Sequence, residues 1–334
     1  MKKYNVAVLG ATGAVGREMI RALEERAFPV ERLLPLASAR SAGKKISFRG
    51  AEAEVREAQP DAFAGMDIVL GAVDSARARE LAPHITAAGA VFIDNSSAFR
   101  MEPEVPLVVP EINGADALAH KGIIANPNCS TIIAMVALAP IAELSPIKTV
   151  VASTYQAVSG AGQEGLTELE EQLSALAKGE PAPAGKVFPC RIAGNVVPYI
   201  GKYKENMFTD EEMKMQNEGR RILHLPELRV SCTCVRVPVM RSHSISLSVV
   251  TERDVSPEEA MEAISRGAGC AVAPFDGRDF PTPLDSSEQD LVMVGRVRRG
   301  LCHENELCLW CCGDQLRKGA AVNAVQIAEI LARA

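Results

Sequence analysis

A cysteine stands in the run Asn126-Pro127-Asn128-Cys129-Ser130-Thr131, between a short apolar segment and a helical run that begins near Ser130. A thiol at a helix N-terminus feels the positive end of the helix dipole, which lowers its pKa and raises the thiolate fraction. The same first turn carries backbone N–H groups without intrahelical partners, suited to receive the oxyanion formed when a thiolate attacks a carbonyl. One position thus offers a nucleophile and oxyanion donors together. An isolated cysteine at a helix cap reads first as packing; the adjoining Asn-Pro-Asn turn is what favours chemistry.

A second group lies near the N-terminus, where Gly10-Ala11-Thr12-Gly13-Ala14-Val15-Gly16 ends one apolar strand and opens a helix. Glycines there permit a tight turn and let backbone N–H groups approach a pyrophosphate at the helix N-terminus. The spacing departs from Gly-x-Gly-x-x-Gly and reads as a variant of it, with an ordinary strand-to-helix turn as the alternative. NAD enzymes carry a carboxylate at the end of the second strand for the ribose hydroxyls. Here that place reads Ala37-Ser38-Ala39-Arg40-Ser41, without a carboxylate. Ser38, Arg40 and Ser41 suit a 2′-phosphate instead, so NADP is the expected cofactor.

These groups need scaffolds. A chain of 334 residues exceeds what one core usually serves, and roughly 150 residues per domain implies two domains. Through residue 126, short apolar runs at 5–9, 32–37, 67–72, 91–94, 107–109 and 123–125 alternate with helical patterns at 15–26 and 76–88. That alternation signals βαβ units around a parallel sheet, a Rossmann-type fold. A helical run then reaches residue 144, followed by a strand-like 149–157, an acidic helix 163–177 and a Pro- and Gly-rich loop at 178–185. Residues 230–237 and 244–250 alternate in period two, as half-buried antiparallel strands do. Residues 292–298 and 306–312 are strand-like, and 316–333 reads as a closing helix. The expectation is an α/β NADP-binding domain over 1–128, completed by 315–334, and an α+β catalytic and dimerisation domain over 129–314 with a largely antiparallel sheet.

Composition narrows the partners. Hydrophobic residues make up 47% and charged residues 23%, ordinary for a globular chain, and the net charge of −6 offers no general attraction to nucleic acid or anionic lipid. The N-terminus lacks a signal-peptide pattern and the longest apolar stretch, 132–144, is too short to cross a bilayer, so a cytoplasmic protein with small-molecule partners is expected. Nine cysteines are too sparse for a disulfide scaffold. Cys308 and Cys311 have the spacing of a metal pair, but on a strand they would point to opposite faces, and no metal is expected.

Taken with further motifs, the sequence resembles the aspartate-β-semialdehyde dehydrogenase family over nearly its whole length. The motifs are the Gly10–Gly16 loop, the cysteine box, Asp94-Asn95-Ser96-Ser97-Ala98-Phe99-Arg100, the run from Ser153 to Gly162, Asn195-Val196-Val197-Pro198, the run from Asp210 to Met215, Cys234-Val235-Arg236-Val237-Pro238-Val239 and Lys318-Gly319-Ala320-Ala321. The resemblance implies NADP-dependent conversion of L-aspartate 4-semialdehyde and inorganic phosphate to 4-phospho-L-aspartate, run reductively in lysine, methionine and threonine biosynthesis, by a homodimer or homotetramer. It makes Cys129 the nucleophile, Gln156 the residue that positions the substrate and His243 the acid/base. It assigns Arg236 to the substrate carboxylate, Glu211 to its amino group, and Arg100, Asn128 and Lys214 to phosphate. Ser159, Gly160 and Gln326 fall with the cofactor, as do Gly10, Thr12, Gly13, Ala14, Val15 and Gly16.

Those residue types agree with thiohemiacetal and thioester chemistry on a cysteine. By pattern alone, His243 shares a face with Ile245, Leu247 and Val249 and reads equally as a core histidine. Arg100, Arg236 and Lys214 read equally as solvated, and Glu211 as favourable charge in a helix's first turn. Two departures stand out: Ser242 precedes the histidine where the family often has Gly, and Gly313-Asp314-Gln315 replaces a more usual Asp-Asn. The first bears on how His243 is presented; the second reads as a change within a turn. N-acetyl-γ-glutamyl-phosphate reductase is the nearest enzymatic alternative, although its cysteine box usually carries Gly and Tyr. A catalytically inactive NADP-binding homologue is the alternative of another class.

Overall fold

The computed structural model describes residues 2–334. Two compact units divide the chain, one running to Asn128 and resumed by Gly319–Ala334, the other formed by Cys129–Lys318.

The first unit contains β1 (Tyr4–Leu9), α1 (Ala14–Glu25), β2 (Val30–Ala37), β3 (Lys45–Phe48), β4 (Ala51–Glu54), β5 (Arg56–Glu57), β6 (Ile68–Gly71), α2 (Ser75–Ala87), β7 (Val91–Asp94), α3 (Pro110–Asn113) and β8 (Ile123–Ala125). Its six-stranded sheet has the order β5-β2-β1-β6-β7-β8, with every neighbouring pair parallel. Residues 6–9 and 68–71 are apolar and buried throughout, as strands covered on both faces require. The order reverses direction between β1 and β6, where the carboxyl ends of the strands leave a crevice. Met19, Ile20 and Leu23 of α1 enter the same core as Val325 and Ile327 of the C-terminal helix Val322–Arg333. Arg26 reinforces that packing through Nε and Nη2 bonds of 2.7 and 2.9 Å to the Glu329 carboxylate.

Two expectations about this unit change. Residues 107–109 make only one bridge, Leu107 to Ala125, because the Asn113 side chain takes up the Val109 N–H and the Leu107 carbonyl, each at 2.8 Å. The antiparallel ribbon β3–β4 is too polar to have announced itself by alternation. The expected helix over 316–333 also differs, since a π-type turn, Arg317–Ala321, precedes its regular part.

The second unit contains α4 (Cys129–Leu144), β9 (Ile147–Gln156), α5 (Gly162–Ala177), α6 (Asp210–Ile222), β10 (Arg229–Arg236), β11 (His243–Thr251), α7 (Pro257–Arg266), β12 (Cys270–Val272), α8 (Pro283–Ser286), β13 (Val292–Arg299) and β14 (Glu306–Gly313). Its sheet runs β10-β9-β11-β14-β13-β12. The pairs β9–β11, β11–β14 and β14–β13 are antiparallel. β10, expected to be antiparallel, is instead parallel to β9. Helices α5 and α6 lie between the two in sequence, and such a crossover returns the chain to the end from which β9 started. Helices α4, α6 and α7 pack on this sheet. Helix α4 is apolar nearly all round and buried from Ser130 to Ile141, as a central helix must be. No helix among the described residues is long and apolar enough to cross a membrane.

Candidate active site

Three of the expected site residues come from one end of the second sheet. Gln156 is the last residue of β9 and Arg236 the last of β10, and the parallel register pairs them directly. The antiparallel β11 begins with His243, so its first residue returns to the same end. Strand alternation turns all three inward: Gln156 is 1% exposed, Arg236 7% and His243 0%. Cys129 opens α4, and its Sγ lies 3.4 Å from His243 Nε2.

The opposite ring nitrogen fixes the tautomer. The Ala157 N–H donates to His243 Nδ1 at 3.1 Å, so Nδ1 carries a lone pair and the proton of the neutral ring sits on Nε2, facing the sulfur. Burial pushes the His243 pKa down to about 3, the Arg236 charge adding to the effect and Glu211 opposing it. Arg236 donates from Nη1 to the Ala157 carbonyl at 2.7 Å, and its guanidinium carbon stands 5.8 Å from the Phe188 ring centre. Burial works against the Arg236 charge, whereas Glu211, Cys129 and Cys234 favour it.

A Thr209–Glu212 capping box starts α6 and places Glu211 and Lys214 in its opening turns. Lys214 Nζ donates to Glu211 Oε2 at 2.8 Å, while Gln156 Nε2 donates to Glu211 Oε1 at 3.2 Å. Thr154 supplies a hydroxyl to Gln156 Oε1 at 3.0 Å and so orients the amide. Sequence reasoning passed over Thr154, although its place two residues before Gln156 puts it on the same strand face. Gly160 sits where a Cβ would stand 2.8 Å from Arg236 Nη1 and 3.4 Å from His243 Cε1. Only glycine leaves the guanidinium and the imidazole undisturbed at that approach. Ser159 beside it is buried and accepts a hydrogen bond from Gln315.

The first unit holds the other group. Gly10 has φ of +85°, and a Cβ there would meet the Ala72 carbonyl oxygen at 2.2 Å; one at Gly16 would meet the Gly10 oxygen at 2.2 Å. Those glycines close the turn, whereas Gly13 stands exposed at its tip. A cavity of about 470 Å³ lies against the loop, lined among others by Gly10, Thr12, Gly13, Ser38, Glu57 and Arg77. Ala14 and Val15 begin α1 behind it. Thr12 Oγ1 reaches Ser41 Oγ at 3.4 Å, and Arg40 is exposed on the short 3₁₀ turn between Ser38 and Ala42. Neither Arg40 nor Gln326 lines the cavity, and the Gln326 amide donates to Glu111 Oε1 at 2.8 Å. Glu57 was missed because β5 brings it beside Ala37 from outside the second strand.

Arg100 donates to the Asn126 carbonyl at 2.9 Å and the Asn95 carbonyl at 2.8 Å. Asn126 Nδ2 bonds Asn95 Oδ1 at 2.7 Å, and Asn323 Nδ2 bonds Asn126 Oδ1 at 2.7 Å. This buried amide chain fixes the turn that leads to Asn128, itself 6% exposed. No sequence spacing announces a partnership of residues so far apart. All nine cysteines are free, and no group of three or more His, Cys, Asp or Glu suited to a metal occurs among the described residues. Burial raises the Cys311 thiol well above its ordinary range and Cys312 to about 11, so neither is a ready nucleophile.

Comparison with known proteins adds an independent line. The family model described as semialdehyde dehydrogenase, NAD binding domain, matches residues 5–120, and the one described as semialdehyde dehydrogenase, dimerisation domain, matches residues 138–318. The chain is 47% identical over 334 residues to the aspartate-semialdehyde dehydrogenase of Aquifex aeolicus, covering 99% of this chain and 98% of that one. It is similar to the crystal structure of aspartate semialdehyde dehydrogenase II of Vibrio cholerae complexed with ASA, with a TM-score of 0.97, 42% identity and coverage of 100% and 99%. The Candida albicans aspartate semialdehyde dehydrogenase with NADP gives a TM-score of 0.78 at 26% identity, covering 99% of each chain.

Proposed function

Because this chain belongs to the aspartate-semialdehyde dehydrogenase family, we propose that it carries out the NADP-dependent, phosphorylating oxidation of L-aspartate 4-semialdehyde to 4-phospho-L-aspartate. The biosynthetic direction is the reverse reduction, toward lysine, methionine and threonine. The enzyme is an oxidoreductase acting on an aldehyde. The observation that carries the cysteine mechanism is the 3.4 Å approach of Cys129 Sγ to His243 Nε2 at the first turn of α4. The relative crystallised with ASA supports the substrate, and the relative crystallised with NADP supports the cofactor.

The chain's own groups divide the work. Arg236 grips the substrate carboxylate and Glu211 its amino group, with Gln156 orienting the aldehyde over the sulfur. Cys129 attacks as thiolate, forming the C–S bond while the carbonyl oxygen takes the charge. That oxygen is stabilised by the N–H groups at the start of α4 and by a hydrogen bond from His243 Nε2, whose ring keeps its proton and stays neutral. The resulting thiohemiacetal anion gives up hydride and collapses to the thioester. When bound, the nicotinamide cofactor supplies the hydride acceptor. Residues Gly10 to Gly16 would hold its pyrophosphate, in the tight turn that leaves Gly13 open at the tip, and Ser38, Arg40 and Ser41 its 2′-phosphate. Ser159, Gly160 and Gln326 belong to the same cofactor assignment. Arg100, Asn128 and Lys214 bind the phosphate that cleaves the thioester and frees the Cys129 thiolate.

The domain assignment is that residues 1–128 with the C-terminal segment serve the cofactor and the middle of the chain serves catalysis and self-association; the expected boundary at 314/315 moves to 318/319, because 315–318 fall in the second unit. A cytoplasmic homodimer or homotetramer is part of the proposal, the dimerisation-domain match supporting the association. The test is NADPH formation that requires both aspartate semialdehyde and phosphate, run with NAD in parallel and beside Cys129→Ala. Absence of turnover in the wild type, or normal turnover in the variant, overturns the reading; tight NADP binding without turnover points to an inactive homologue.

A further inference from the structure

The two departures at Ser242 and Gln315 meet in space. Ser242 has φ of +72°, a left-handed conformation that costs a non-glycine residue strain and persists only when neighbours enforce it. Its N–H donates to Gln315 Oε1 at 2.8 Å, and its hydroxyl lies 3.1 Å from Ser287 Oγ. On its N-terminal side, Arg241 Nε donates to Asp314 Oδ2 at 2.6 Å; on its C-terminal side, His243 pairs with Gly313 across β11 and β14. The corner that presents His243 is therefore held residue by residue against 313–315.

Gln315 also faces the other way. Its Nε2 donates to Ser159 Oγ, on the turn that follows Ala157. A backbone N–H can only donate, so Ser242 fixes the orientation of the amide and leaves its NH₂ end for Ser159. Ala157 supplies the N–H that holds His243 Nδ1, and Gly160 abuts the His243 ring. One buried amide, 2% exposed, thus ties the strained residue before His243 to the turn that sets the ring's tautomer. The change is more than a local feature of a turn.

We propose that Gln315 is a positioning residue for His243, holding the ring's Nε2–H on Cys129 Sγ by clamping the left-handed Ser242 to Ser159. The proposal rests on the reading of Cys129 and His243 as the reacting pair. Its test is read on the free enzyme, without substrate or cofactor: the rate of iodoacetamide alkylation at Cys129 against pH, followed by peptide mass spectrometry. Gln315→Met, close in volume and without hydrogen-bonding ends, is expected to move that profile toward an ordinary thiol and to lower kcat between about 10- and 100-fold. Adding Ser242→Gly, which accepts the positive φ without strain, is expected to restore most of both losses.

An alkylation profile for Gln315→Met that coincides with wild type overturns the proposal, whatever happens to turnover; so does failure of Ser242→Gly to restore the profile. Should Gln315→Met not fold, Ser159→Ala removes the other end of the clamp and must shift the profile in the same direction, an unshifted profile being the contrary result. A wild type without phosphorylating turnover but with a Gln315-dependent profile would sink the proposed function and leave the clamp standing.

Discussion

The nucleotide loop and the sheet-end cluster are built by opposite means. Residues 10–16 are contiguous and use backbone: tight glycines and N–H groups at the mouth of α1, with side chains secondary. The cluster of Cys129, Gln156, Glu211, Arg236 and His243 draws one side chain from each of five elements and brings them together by strand register and helix capping. A local site tolerates changes of chemistry and fails on added bulk. A dispersed site tolerates little change of either kind.

His243→Asn should show the largest effect, since it removes the Nε2–H that faces Cys129. Turnover is expected to fall by about 10²- to 10⁴-fold with little change in thermal unfolding; retained turnover would mean that the sheet-end geometry does not carry the chemistry. Arg236→Lys keeps the charge but loses the planar fork that grips Ala157 and, on the proposed reading, the substrate. It should lower kcat/KM for the semialdehyde by about 10- to 100-fold, seen in steady-state kinetics. An unaltered kcat/KM would return Arg236 to a structural role.

On the other side of the comparison, Gly16→Ala places a Cβ against the Gly10 carbonyl and should cost about 1–3 kcal/mol, read by urea unfolding. Gly13→Ala meets nothing nearer than 3.4 Å, so it should spare the fold and weaken binding of the nicotinamide dinucleotide alone. Equal stability losses in both variants would contradict the division between turn-closing and ligand-facing glycines. The smallest effect is a pH slope. His243 drops from an ordinary 6.5 to about 3 in the folded state, so between those values the unfolded chain binds the proton and the folded one excludes it. Stability is fully present above 6.5 and falls as pH drops, by at most about 1.4 kcal/mol per unit from this group. The His243→Asn variant should show a shallower decline, measured by urea unfolding from neutrality to about pH 5.

Much of the nucleotide unit was legible because its signals are local. Apolar runs, helical periodicity and a glycine turn all lie within a few residues of one another. The alternation of His243, Ile245, Leu247 and Val249 likewise revealed which face His243 occupies, although not what it would meet there. Less was readable where the polar partners are distant. The Asn95–Asn126–Asn323 chain joins segments from both ends of the sequence, and Glu57 reaches the nucleotide cavity only because β5 adds to the sheet beside β2. The direction of β10 also escaped, since alternation reports a strand's faces and is silent about its sense.

Cys129 illustrates the limit. By themselves the amino acids around it determined a helix start, a turn of asparagines and hence a thiol at a dipole's positive end. They also determined, through the order of motifs, the family resemblance. Tertiary structure alone decided that His243 would arrive at that sulfur with its proton on Nε2, because the N–H of Ala157 occupies the other nitrogen and burial keeps the ring neutral. Helix starts depend on neighbours in the chain, whereas a tautomer depends on whatever group the fold brings to each side of the ring.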